Sequence, residues 1–326
     1  MLMEFWELLL AKARNNMILG FDTSNYTTSV ALFDTKNKSV TNLKKLLPVK
    51  QGELGLRQSD AVYHHVQQLH ELIAELDANV NDIKSIGVSV RPRNVDGSYM
   101  PCFSVGYSFA KSFASLLNVP LFEFSHQEGH IGAALYSADK LDLIERDFIA
   151  FHFSGGTSEA LYCKKGNANL FDAQLISASL DLKAGQAIDR VGVALGLNFP
   201  AGAELDKLSA NSEKSYKIKP SFVGDNPSFS GLENKCNKMI KNGEKPCDIA
   251  KFAIEYVYSV VERMTHICAE RFGDLPLIYS GGVMSNSYIS AKIKGKFNAY
   301  FAKPEFSSDN AAGIAVLTAY RSGLLD

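Results

Sequence analysis

The chain has 326 residues, of which 46% are hydrophobic and 21% charged, and its 34 basic and 35 acidic side chains leave a formal charge of −1. That length accommodates two domains with a core each, the composition is that of a soluble globular protein, and the charge balance excludes a global electrostatic pull toward nucleic acid or membrane. No apolar run is long enough to span a bilayer, and five scattered cysteines without a Cys-x-x-Cys pair fit reduced thiols in a cytoplasmic protein.

Residues 1–16 read as an amphipathic extension with Trp6 and Leu8-Leu9-Leu10, interrupted by Glu4 and Glu7, which is wrong for a signal peptide. A start assigned too early explains it, and a packing or dimerisation helix is the other reading. Met17–Phe21 is a strand pattern, followed by the small-polar turn Asp22-Thr23-Ser24-Asn25-Tyr26-Thr27-Thr28 and a second strand, Ser29–Phe33. Gln58–Leu76 reads as a helix, Ile83–Val90 as a strand, Arg91–Pro101 as a loop, Phe103–Leu117 as a helix and Pro120–Phe124 as a strand. The pattern then repeats: Phe148–Phe153, the turn Ser154-Gly155-Gly156-Thr157-Ser158, and Glu159–Cys163. Helices are expected over Ala184–Leu195, Gly202–Leu208, Gly231–Lys241 and Asp248–Phe272. Leu277–Tyr279 is a buried strand running into Ser280-Gly281-Gly282 with a helix after it, and a last helix covers Ser308–Ser322, capped by Ser308 or Asp309.

Alternating strands and helices imply α/β layers, and two strand–turn–strand openings imply a duplicated domain with a ligand between the halves. The boundary is expected near the charged stretch Asp139–Arg146. The expected division is 17–140 for the first domain, with 307–326 packing back on it, and 141–306 for the second.

Three features carry chemistry. His126 and His130 stand four positions apart and share one face of a helix, one turn apart. With Asp309 as an oxygen donor they make a two-histidine, one-carboxylate metal frame with positions left open for substrate oxygens. Taken singly, such a pair is more often plain surface or core, and an Asp at a helix start is more often only a cap. Gln127 stands where the His-Glu-x-x-His protease motif has its general base, so a protease is not implied. Second, Ser154-Gly155-Gly156 would cradle phosphates and Ser280-Gly281-Gly282 would let an adenosine lie against backbone, although a Gly pair after a strand is more often a plain turn. Third, Asp189 and the stretch Gly202-Ala203-Glu204-Leu205-Asp206 offer carboxylates that would hold ribose hydroxyls, although Asp189 beside Arg190 is more often a helical ion pair. The lysines Lys235, Lys238, Lys241 and Lys245 read as a solvated helix face rather than an RNA patch.

The order of these pieces resembles one family, the tRNA threonylcarbamoyltransferases once labelled glycoproteases or O-sialoglycoprotein endopeptidases. The resemblance runs from about Met17 to Tyr320. It rests on Ser125-His126-Gln127-Glu128-Gly129-His130, Ala184-Gly185-Gln186-Ala187-Ile188-Asp189-Arg190, Gly196–Gly202, Ser228–Leu232, Gly281–Asn286 and Ser308–Ala312. It implies the two-domain fold of actin, sugar kinases and the Hsp70 ATPase domain, which is ribonuclease H-like. It implies transfer of a threonylcarbamoyl group from its adenylate to the tRNA adenosine next to the anticodon. It also implies one divalent metal on His126, His130 and Asp309, iron or zinc with magnesium as a third option. ATP or an adenylate would lie on His152, Phe153, Ser154, Gly155, Gly156, Asp189, Gly202, Asp206, Gly281, Gly282 and Asn286.

The reactive loops depart from the family pattern. Tyr26 and Thr27 stand where it has an acidic pair, Gly155–Glu159 replaces Gly-Gly-His-Thr-Gln, and Arg91–Tyr99 replaces a Gly-Pro-Gly loop. Gln186 stands in place of Glu. A tyrosine with an ordinary pKa near 10 is a poor general base at neutral pH. The catalytic candidates are Asp22, Tyr26 and Glu159. Two other readings stand beside the transferase: a diverged, catalytically impaired paralogue acting as a nucleotide- and metal-binding regulator or scaffold, as a homodimer or paired with a family homologue, and a small-molecule kinase using Asp22, Asp96 or Asp189.

Overall fold

The computed structural model describes residues 16–24, 26–49, 56–166 and 169–325, so residues 1–15 of the N-terminal extension and Asn25 lie outside the described residues. The chain divides into two compact units. One comprises the residues up to Tyr136 together with Asp309 onward, and the other is Ser137–Ser308.

The first unit is built on a five-stranded sheet. Strands β1 (Met17–Asp22), β2 (Thr27–Asp34) and β3 (Ser39–Leu46) form an antiparallel meander, and β4 (Ile83–Arg91) and β5 (Leu121–Ser125) add in parallel on the other side of β1. The spatial order is β3-β2-β1-β4-β5. Helices α1 (Gln58–Glu75), α2 (Phe103–Leu117) and α3 (His126–Ser137) interleave with the strands. The closing helix of the chain, Ala312–Arg321, packs against β1, β2 and β4. Its residues from Ala312 to Ala319 are all buried, and so are the central residues of β1 and β2.

The second unit repeats the plan. β6 (Phe148–Phe153), β7 (Ser158–Lys165) and β8 (Phe171–Ala178) form the meander, and β11 (Leu277–Ser280) and β12 (Ala299–Phe301) add in parallel beside β6. The order β12-β11-β6-β7-β8 is that of the first sheet, so the duplication expected from two strand–turn–strand openings is present in the topology. Its helices are α4 (Ala184–Ala194), α5 (Gly202–Ser209), α6 (Ser230–Lys241), the long α7 (Pro246–Phe272) and α8 (Ser287–Lys294), with a small ribbon, β9 (Ser221–Val223) and β10 (Asn226–Ser228), before α6. The buried face of α7, including Ala253, Val257, Val260, Val261 and Met264, anchors the core of this unit.

Two expectations need correction. The last helix, α9, begins at Ala312 rather than at Ser308, with Ala311 in the cap position, so neither Ser308 nor Asp309 caps it. β3, β8 and β12 carry no counterpart among the expected strands. All three lie at sheet edges. In β3 one ladder is missing and solvent accepts Lys44 and Lys45, so no apolar run marks that strand.

Candidate metal centre and nucleotide frame

The metal frame lies wholly within the first unit. β5 runs directly into α3, so His126 is the first residue of the helix and His130 follows one turn later. Their rings sit 4.3 Å apart between centroids. The helix start is fixed by a reciprocal pair. The Ser125 backbone N–H donates to the Glu128 carboxylate at 2.6 Å, and the Glu128 N–H donates to the Ser125 hydroxyl at 3.2 Å. This is a capping box, and Ser125-x-x-Glu128 is its sequence signature. Glu128 is buried, and burial pushes its carboxyl up. Glu128→Ala is expected to cost about 1–2 kcal/mol through loss of the cap and to loosen the His126 end of α3. Denaturant unfolding measures the first effect and metal titration the second; an unchanged midpoint would show the box to be dispensable.

Asp309 reaches both imidazoles. Its Oδ1 lies 3.4 Å from His126 Nε2 and 3.2 Å from His130 Nε2. One ligand atom from each of the three residues falls within 4.8 Å of the others. What brings the Asp309 loop here is the crossing of α3 and α9. A Cβ on Gly313 would lie 1.8 Å from the Gly129 carbonyl oxygen and 2.6 Å from the Ala133 nitrogen, so the helices meet backbone to backbone. The loop before α9 is thereby placed beside the first turns of α3.

Asp22, at the end of β1, stands on the other side of His126. It is 1% exposed, accepts from His126 Nδ1 at 2.9 Å, and also accepts from the hydroxyls of Ser24 and Ser89. A carboxylate on Nδ1 fixes the tautomer that leaves the Nε2 lone pair for a metal. Two such nitrogens and a carboxylate oxygen fit a transition metal such as iron or zinc better than magnesium, which prefers oxygen ligands. Among the candidates for a catalytic role Asp22 thus stands behind His126, where it orients the ring.

Burial works against protonating His126, but the Asp22 and Asp309 carboxylates outweigh it and push its pKa up to about 10. Burial would raise Asp309, yet hydrogen bonds from the two imidazoles hold it far below the usual carboxylate range. A pKa raised in the folded state stabilises it fully below the ordinary value of 6.5, and that contribution is lost as pH climbs to about 10. Metal-free protein is therefore expected to lose stability over this window, on the order of a few kcal/mol, and His126→Gln to flatten the loss. Denaturant titrations across the window check it, and a wild-type curve as flat as that of the variant would contradict it. Because the same proton competes with a metal, metal uptake should strengthen as pH rises.

The loop Arg91–Pro101 leads away from β4 next to this site, and the Gln127 N–H donates to the Pro92 carbonyl at 3.1 Å. Arg91 Nε is buried without a hydrogen-bond partner among the described residues. Tyr26 is 43% exposed, while Thr27 is buried as the first residue of β2.

The residues of the nucleotide frame all lie in the second unit. His152 Nδ1 is 3.0 Å from the Ser280 hydroxyl, joining the ends of β6 and β11, and Phe153 is buried beneath. In the turn after β6 the Ser154 hydroxyl accepts from the amides of Gly156 and Thr157 at 3.2 and 3.1 Å, so a phosphate would have to compete with it for both. Cβ atoms built on Gly155, Gly156 and Gly282 meet nothing within 4 Å, which leaves open approach to the backbone. Gly281 has φ 95°, and a Cβ there would lie 2.2 Å from the Phe153 carbonyl oxygen, so only glycine fits.

Three positions carry structural duties as well. Asp189 accepts from the Ala201 N–H at 2.8 Å and holds the loop ahead of α5, while Arg190 pairs with Glu233 at 3.0 Å rather than with its neighbour. Asn286 caps α8 by accepting from the Ile289 N–H at 2.9 Å. Gly202 and Asp206 lie half-buried on α5. Glu159 is 4% exposed in β7, opposite His152, which is not the open placement that a displaced catalytic carboxylate needs.

The duplicated sheets place the protein in the actin-like, two-domain class. Among solved structures it is similar to full-length HypF in a phosphate- and nucleotide-bound form, with a TM-score of 0.58 at 13% identity over 95% of this chain and 56% of that one. It is also similar to the activator of 2-hydroxyisocaproyl-CoA dehydratase from Clostridium difficile, with a TM-score of 0.52 at 13% identity over 94% and 96% of the two chains. At that identity these likenesses establish the fold alone.

The sequence is more specific. The family model for tRNA N6-adenosine threonylcarbamoyltransferase matches residues 42–316, and the chain belongs to that family. The enzyme of that name from Persephonella marina is 30% identical over 93% of this chain and 89% of its own length. The one from Dictyoglomus turgidum is 29% identical over 91% of each. Among the described residues no helix is long and apolar enough to cross a membrane.

Proposed function

We propose that this chain transfers a threonylcarbamoyl group from its adenylate to an adenosine of tRNA, with one transition-metal ion held by His126, His130 and Asp309. The observation that carries the reading is the convergence of those three side chains, with ligand atoms within 4.8 Å of one another. When bound, the metal would supply a Lewis acid for phosphate or carbonyl oxygens of the substrate. Asp22 would keep His126 in the tautomer that ligates. The open backbone at Gly155, Gly156 and Gly282 supports an adenine nucleotide or acyl-adenylate on the second unit, with Asp189, Gly202, Asp206 and Asn286 around it.

A second reading is favoured by one observation. Tyr26 and Thr27 offer no carboxylate in the first loop, and Glu159 is buried in β7. Loss of a carboxylate that orients or deprotonates a nucleophile typically costs about 10²–10⁴-fold. On this reading the chain is a metal- and nucleotide-binding paralogue that regulates or scaffolds, alone or paired with an active family member. Expression in a strain depleted of its own family transferase separates the two. Restoration of threonylcarbamoyladenosine in tRNA, read by nucleoside mass spectrometry, supports the transferase. No restoration at confirmed expression supports the paralogue.

A further inference from the structure

A cavity of about 430 Å³ opens in the second unit between α7, α8 and the segment 215–219. Its floor is Glu255, only 4% exposed, whose oxygens accept from the Tyr288 hydroxyl at 2.7 Å and the Tyr216 N–H at 2.6 Å. Its walls are Tyr258 and Tyr288, set edge to face with centroids 6.3 Å apart. The two glutamates of the cavity are answered from nearby. Lys251 lies 4.0 Å from Glu255, and Lys296 bonds Glu262 at 2.5 Å.

The rim is different. Lys217, Lys219 and Lys292 line the mouth and are exposed, and among the described residues none of them pairs with an acid. Lys292 stands one helical turn beyond Tyr288. The Lys292 ammonium lies 5.9 Å from the Tyr258 ring and 5.3 Å from the Tyr288 ring. Three like charges around one mouth repel each other unless an anion sits between them. Aromatic side chains beside phosphate-binding cations are the combination that single-stranded nucleic-acid sites use, and here Lys251 also lies 3.7 Å from the Tyr288 ring and Lys296 5.7 Å from the Tyr258 ring.

We propose that this cavity binds a phosphorylated nucleoside unit, free or within an RNA strand, with the phosphate on Lys217, Lys219 and Lys292 and the base or sugar against Tyr258 and Tyr288. The site is separate from the metal and nucleotide frames, since none of its lining residues belongs to either. It does not depend on the transferase reading. It adjoins that reading at one point, because α8 carries Tyr288 and Lys292 and is capped by Asn286.

The test is calorimetric titration at low salt with uridine, uridine monophosphate and a short oligouridylate, a pyrimidine series that leaves an adenine pocket aside. Uridine monophosphate or the oligonucleotide is expected to bind and uridine is not. The triple variant Lys217→Glu/Lys219→Glu/Lys292→Glu, checked for native circular dichroism, should weaken binding by about tenfold or more, as should added salt. Tighter binding of the oligonucleotide assigns the site to RNA, and equal binding assigns it to a free nucleotide. His130→Ala should leave this binding unchanged, which separates it from the metal centre. No binding of either phosphate ligand tighter than about 1 mM, or equal affinity in the triple variant, overturns the proposal.

Discussion

Asp309→Ala is expected to abolish the metal binding proposed for His126, His130 and Asp309. The carboxylate is the one oxygen donor among three ligands and stands 3.4 and 3.2 Å from two imidazole nitrogens. Loss of a mere orienting partner costs metal sites about 10–100-fold in affinity, so loss of a ligand should cost at least ~100-fold, or about 2.7 kcal/mol. Asp22→Asn supplies the graded comparison. It keeps the shape behind His126 but removes the charge that fixes its ring, and should fall within the smaller range. Elemental analysis after dialysis against a weak chelator reads both. A metal content in Asp309→Ala equal to that of the wild type would remove Asp309 from the site.

Gly313→Val should be the most damaging structural change in the first unit. The added Cβ would meet the Gly129 carbonyl oxygen at 1.8 Å and the Ala133 nitrogen at 2.6 Å. Both are backbone atoms of α3, so no side chain can rotate away. Relief requires α9 to move off α3, and α9 is buried from Ala312 to Ala319. Overpacking of a core typically costs about 1–3 kcal/mol, and a backbone-to-backbone clash belongs at or above the upper end. At about 2–4 °C per kcal/mol for a unit of this size, the melting temperature should fall by roughly 6–12 °C. Metal affinity should fall with it, because the same crossing carries Asp309 to the histidines. A melting temperature within about 1 °C of the wild type would mean that the helices do not meet this closely.

Much of this was legible in the sequence. The apolar runs Met17–Phe21 and Phe148–Phe153 announced the two central strands, and the spacing of His126 and His130 announced a shared helix face. Of the four edge strands of the five-stranded sheets only β5 was legible; β3, with Lys44 and Lys45 facing solvent, carries no apolar run to mark it. The role of Asp22 was not legible either. Its partnership with His126 spans 104 positions and exists only once β1 and β5 lie in one sheet. Asp309 reads both as the oxygen donor of the metal frame and as a cap, and only the cap fails, because local sequence reports the helix that follows, not the helix that crosses it. Asn286 and Asp189 show the converse. Motif matching marks them for a ligand, while the geometry gives each a backbone N–H to hold, so substitutions there report on loop stability as well as on binding.

The central claim is metal-dependent transfer, and one measurement bears on it most directly. Purified protein, metal-loaded, is incubated with threonylcarbamoyl-adenylate and unmodified tRNA, and the nucleosides are read by mass spectrometry, with His130→Ala in parallel. Threonylcarbamoyladenosine is expected with the wild type and not with the variant. Metal-loaded wild type that yields no modified adenosine, or a His130→Ala variant that yields as much as the wild type, would contradict the account.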